Sequence, residues 1–178
     1  MKNYLIQYKP FLLFLGKFFI CYLLLTIVYN MYLNSFGHNQ MDLITKFVAT
    51  NTEYILKILD NQSYLIAHKN NLYYQIFYKQ IYVARIIEGC NGISVIVLFL
   101  SFVFAFSRKW KPTLFFMLMG SLIIYTLNVF RIVLLSVLLF HFPQYEQILH
   151  AVVFPLIIYG TVFILWVFWV NKFFRYAR

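Results

Sequence analysis

LFFMLMGSLIIYTLNVFRIVLLSVLLF, residues 114–140, is the stretch on which the fold turns. It exceeds the roughly 20 apolar residues that carry a helix across a bilayer. Its interruptions are Asn128 and Arg131. A guanidinium at membrane depth is costly against lipid and usually functional. The two residues are three apart, so they share one helix face, and that face is expected to turn inward. A single helix from Pro112 to Phe142 would be roughly 45 Å long, against a hydrocarbon core of about 30 Å. The stretch is therefore expected to tilt, break or protrude, with Asn128 and Arg131 as the expected place.

Three more apolar stretches flank it. The first runs from about Phe11 to Leu33, broken only by Lys17 and Asn30. The second runs from about Ile93 to Phe106, and its length is made up by extension back through Ile86, Ile87, Cys90 and Gly92. The last runs from about Ala151 to Val170 without a charge. The chain of 178 residues is 63% hydrophobic and 22% aromatic, with 11% charged. A soluble domain of this size could not hide that much apolar surface, so lipid is the expected solvent. The first stretch reads as a retained helix. It is longer than the roughly 7–15 residues of a signal-peptide core, and no small-x-small site follows it.

The fold class predicted is all-α integral membrane, one domain over residues 1–178, with about four transmembrane helices. The formal net charge is +10. Lys2 and Lys9 precede the first span, Arg108, Lys109 and Lys111 link the second to the third, and Lys172, Arg175 and Arg178 follow the fourth. By the positive-inside rule these clusters lie in the cytoplasm, and so do both termini. The charge is thus explained by topology and asks for no nucleic acid. Asn34–Arg85 is expected outside, although it carries Lys46, Lys57, Lys69, Lys79 and Arg85, because the rule weakens for long loops.

Within that segment Leu43, Ile44, Phe47, Val48, Ile55, Ile58 and Leu59 fall on one helical face. The pattern suits an amphipathic helix, lying either on the membrane surface or on its own protein. Tyr64–Ala67 and Leu72–Tyr78 are β-prone and flank Lys69-Asn70-Asn71, a turn signal. A β-hairpin leading into Ile81–Ile87 would hang next to Cys90. Cys21 lies mid-span and Cys90 at a span end, a depth difference of roughly 10 Å or more. Bridged Cα atoms must lie within about 7 Å, so no disulfide is expected. Cys21 reads as a small buried apolar residue.

Taking the basic clusters as depth markers, Cys90, Arg131 and His150 stand about 27, 30 and 33 Å from the inner boundary as helix. All three reach the outer interface. A thiol becomes reactive as a thiolate, which a nearby His or a helix N-terminus favours. An Arg at the same level holds a carboxylate or stabilises an oxyanion. The three are sufficient in kind for acyl transfer from a peptide bond. Each also has a plainer role: Cys90 as a structural residue among glycines, Arg131 as helix-to-helix glue, His150 as an interfacial cap. His141 lies at a similar level and competes as base, while His38 and His68 fall in the long loop as solvated residues.

Glu88-Gly89-Cys90-Asn91-Gly92-Ile93, Asn128-Val129-Phe130-Arg131 and His150 at the head of the last span resemble the exosortase/archaeosortase family of membrane cysteine transpeptidases. The similarity is closest to the compact exosortase F type of Bacteroidota. Asn91 departs from the small residue usual after the Cys. The resemblance implies an enzyme of the bacterial inner membrane with its site on the extracytoplasmic side. Its partners would be membrane-anchored proteins whose C-terminal tail combines a short motif, a hydrophobic helix and a basic cluster. It would cleave those tails and pass the protein to an acceptor. By transfer, Cys90 is the nucleophile and Arg131 and His150 its partners. Asn128, Asn91, Gly92 and Glu88 bind substrate or support them. No metal or other cofactor is implied. The alternative is a non-enzymatic scaffold subunit of an envelope assembly complex.

Overall fold

A computed structural model describes residues 8–36, 40–68, 71–107 and 109–175, with side chains as far as 172. Lys2, His38, Lys69, Asn70, Arg108 and Arg178 lie outside the described residues, as does the side chain of Arg175.

The order of the main elements is α1 (Lys9–Asn34), α2 (Leu43–Leu59), β1 (Tyr64–Ala67), β2 (Tyr73–Tyr78), β3 (Ile81–Ile87), α3 (Ile93–Ala105), α4 (Trp110–His141) and α5 (Phe154–Arg175). Three helical segments are long and apolar enough to cross a membrane: α1, α4 and the run Pro143–Lys172 that contains α5. α1 starts with Pro10 in its first turn and buries no residue completely. It lies along α3, with Phe14 against Phe102 and Phe106 at ring distances of 5.7 and 4.3 Å. At the Trp110 end of the bundle, Phe99 and Val103 of α3 meet Ile124 of α4 and Val162 and Trp169 of α5 in one core. Gly120 permits this closeness, since a Cβ there would run into the Phe99 ring.

The second apolar stretch departs from its predicted length. Its helix begins only at Ile93 and has 13 residues, about 20 Å, short of the roughly 30 Å of hydrocarbon. Ile86 and Ile87 are not its first turn but the end of β3, and Glu88–Cys90 is a single 3-10 turn. Gly92 at φ +79° separates that turn from α3. A left-handed residue cannot continue a right-handed helix.

The third stretch is one unbroken helix of 32 residues. The break considered at Asn128 and Arg131 does not occur, because the Asn128 amide bonds outside its own helix and leaves the ladder intact. The surplus length is covered near the His141 end, where α2 and the sheet pack against Val129, Ile132 and Val133. Pro143–Tyr145 forms a 3-10 turn, Glu146–Ile148 an α turn and Leu149–Val153 a π turn, feeding directly into α5.

The extended segment forms three antiparallel strands in the order β1-β2-β3, where the sequence suggested a hairpin leading into Ile81–Ile87. Lys79 and Gln80 both take positive φ in the β2–β3 turn, the twist that two-residue hairpins favour. The inner face carries Leu65, Tyr74, Ile76, Ala84 and Ile86 into the core. The outer face stacks Tyr64 on Phe77 at 4.9 Å and sets Tyr82 edge-on at 5.9 Å. α2 forms where expected, but the residues it fully buries against the protein share only Val48 with the apolar face read from the sequence, whose Leu43, Phe47, Ile58 and Leu59 stay exposed. Val48, Ala49, Thr52 and Leu56 are buried against the protein, while Leu43, Phe47, Tyr54 and Ile58 form an exposed apolar row. Cys21 is half-buried rather than buried, and both cysteines are free.

Candidate active site

Cys90 closes the 3-10 turn between the last strand and α3. Its position is braced from three sides. The Asn128 Nδ2 donates to the Cys90 carbonyl at 2.7 Å. The Asn91 Oδ1 accepts from the Ile93 amide at 3.0 Å, capping α3. The Asn91 Nδ2 donates to the Tyr29 hydroxyl of α1 at 2.6 Å and to Thr45 Oγ1 of α2 at 3.1 Å. Thr45 in turn gives its backbone N–H to the Asp42 cap at 2.9 Å. Asn91 and Asn128 are both 2% exposed, and buried amides of this kind hold geometry because leaving them unpaired is costly. Gly92 completes the brace: a Cβ there would sit 3.1 Å from the Asn128 side chain. Burial pushes the Tyr74 phenol above its ordinary range, and the nearby Asp42 charge adds to the shift.

Arg131 stands one turn beyond Asn128 on α4 and is half-buried, with its Nε buried and unpartnered. His150 is exposed and lies within the π turn that precedes α5. Such turns shift the helix register and are frequent at functional sites. Cys90, Arg131 and His150 all line one cavity of about 830 Å³. β3 forms one wall, and Ile132, Leu135, Leu139 and Phe140 of α4 form another.

The other candidates separate by role. Asn128, Asn91 and Gly92 lie behind Cys90 as its brace and do not line the cavity. Glu88 is also not a lining residue; its carbonyl accepts from the Asn91 N–H at 3.4 Å. His141 is outside the cavity, with its Nδ1 paired to the Val137 carbonyl at 2.9 Å. Two charged residues line the cavity that the sequence reasoning passed over, Arg85 and Glu146. Along the chain Arg85 stands as a loop charge and Glu146 in the polar run Gln144–Gln147 between two apolar stretches. The spacing of Glu146 four before His150 was the signal available. Among the described residues, no group of three or more His, Cys, Asp or Glu could hold a metal.

The model of the transmembrane exosortase family matches residues 8–171. The chain belongs to that family. The match runs over α1, the sheet, the Cys90 turn and α5 alike, so the family membership is a property of the fold as a whole. Exosortases are membrane cysteine transpeptidases. No curated protein and no solved structure matches the chain.

Proposed function

We propose that this exosortase is a cysteine transpeptidase that cleaves the C-terminal sorting tails of envelope proteins and transfers them to an acceptor. The observation that carries the proposal is the shared cavity of Cys90, Arg131 and His150. His150 takes the thiol proton, and the Cys90 sulfur attacks the scissile carbonyl. Arg131, with a buried guanidinium nitrogen still unpartnered, faces the charge that develops on the carbonyl oxygen. The C–N bond then breaks, the leaving amine takes the proton from His150, and a thioester remains. An amine or hydroxyl of the acceptor attacks that thioester, gives its proton to His150 and releases the sulfur as thiolate.

For the arrangement in the membrane, we take α3 as a fourth, short crossing, with both termini inside and the sheet and α2 outside. The cavity then opens at the extracytoplasmic face of the inner membrane. On the likeness of its motifs we take the chain as nearest the exosortase F type of Bacteroidota. The substrate is taken to be a membrane-anchored protein whose tail joins a short motif, a hydrophobic helix and a basic cluster.

The test is a processing assay in cells. Secreted proteins are sized by C-terminal mass spectrometry at matched expression of wild type and variants. Cys90→Ser is expected to insert normally and abolish processing, since a hydroxyl lacks the acidity of the thiol. Cys21→Ala is expected to process normally. Processing retained in Cys90→Ser would return the chain to the scaffold class.

A further inference from the structure

The third strand has one partner only. The sheet order is β1-β2-β3, so β3 is paired on one side. Among the described residues, no backbone hydrogen bond from another element reaches its other side. Side chains of a strand alternate between two faces. The register shifts by one residue at Val83, so on β3 Ala84 and Ile86 turn into the core, while Tyr82 and Arg85, on either side of that shift, meet Phe77 and Tyr73 on the opposite face. Yet all seven residues from Ile81 to Ile87 line the cavity. A space that touches residues of both faces must run along the edge of the strand. The strand ends at Ile87, and Cys90 closes the turn that follows.

We propose that the cavity binds its substrate as an extended peptide added to the free edge of β3, a fourth strand that delivers the scissile carbonyl to Cys90. This rests on the transpeptidase reading above. The occupant follows from the chemistry of the wall. Unpaired strand N–H and C=O groups at regular spacing are satisfied together only by another extended backbone. In such strand addition the main-chain bonds supply affinity, and pockets for alternate side chains supply selectivity. Here the facing α4 wall of Ile132, Leu135, Leu139 and Phe140 is apolar. A lipid chain would leave the edge groups unpaired, and a helical tail has no backbone groups to offer. The seven residues of β3 extend about 23 Å, enough to hold the segment around the scissile bond but not a transmembrane helix.

The full-length protein in nanodiscs, carrying Cys21→Ala so that Cys90 is its one thiol, tests this. It is treated with a pool of mixed-sequence peptides bearing a central epoxysuccinyl group, which a thiolate opens. A twin pool has alternate backbone amides N-methylated. Iodoacetamide serves as a small control reagent. The amide pool is expected to label Cys90 about tenfold or more faster than its twin, the loss of one or two net hydrogen bonds. In the labelled protein, amide hydrogen exchange over 81–87 is expected to slow, while that over 64–67 is not. Equal rates for the two pools, beside normal iodoacetamide labelling, would overturn the fourth strand and leave the cysteine nucleophile standing. A Cys90 whose iodoacetamide rate does not fall in His150→Ala and whose Cys90→Ser variant still processes would remove the nucleophile, and the strand proposal with it.

Discussion

Asn91 shows how one side chain can serve three elements. Its amide caps α3 through the Ile93 N–H and reaches Tyr29 of α1 and Thr45 of α2. The departure from a small residue after Cys90 is therefore a structural gain, since a shorter side chain could not bridge to Tyr29. Gly92 has less freedom still, with a φ of +79° and the Asn128 side chain against its α-carbon. Gly92→Ala is expected to cost about 1–2 kcal/mol for the left-handed backbone alone and to displace Asn128 from the Cys90 carbonyl. Iodoacetamide labelling of Cys90 and the processing assay should both register it, with membrane insertion unchanged. Arg131→Lys is expected to lose most processing, because Lys keeps the charge but not the planar fork. A Lys variant that processes at the wild-type rate would show that charge alone suffices.

Among elements, α3 and α4 approach closely at Gly120, which lies under the fully buried Phe99 ring. Gly120→Val is expected to destabilise the bundle by about 1–3 kcal/mol, seen as a lower midpoint in thermal aggregation from detergent. An unchanged midpoint would mean that α3 can slide along α4. The two faces of α2 make a second case. The buried face is made of small and medium residues that let the helix approach α4, including Asn51, whose Nδ2 donates to the Tyr125 hydroxyl at 2.7 Å. The row of Leu43, Phe47, Tyr54 and Ile58 is exposed, although the Phe47 ring also stacks on Tyr125 of α4 at 5.9 Å. Burying such a row in the membrane interface is favourable, so Ile58→Asp, at a position 68% exposed, is expected to leave the fold intact and weaken retention of α2 at the bilayer, measured by spin-label depth at position 54.

For the whole molecule, the proposed orientation makes a direct prediction. A membrane-impermeant thiol reagent added to intact cells should label Asn61→Cys and should not label Lys109→Cys until the membrane is opened. Labelling of position 109 from outside would invert the arrangement. Much of this molecule was legible along the chain. The long apolar runs of α1, α4 and α5 require lipid whatever their neighbours. The period of α2 and the β-propensity of residues 64–67 and 72–78 are local signals, and they gave elements where expected. The sequence could also assemble Cys90, Arg131 and His150 as candidates, because unusual chemistry in an apolar background is visible residue by residue. Tertiary structure alone decided the rest. Ile86 and Ile87 suit a strand or a buried helix equally, and only pairing with Tyr74 and Tyr73 made them strand, shortening α3. Asn128 could have broken its helix, and the Cys90 carbonyl gave it a partner that kept the helix whole. His150 and His141 are indistinguishable by depth. What separates them is which one lines a cavity that β3, α4 and the turns between α4 and α5 enclose together. Such a cavity is a relation between distant segments, and no local pattern in the chain encodes it.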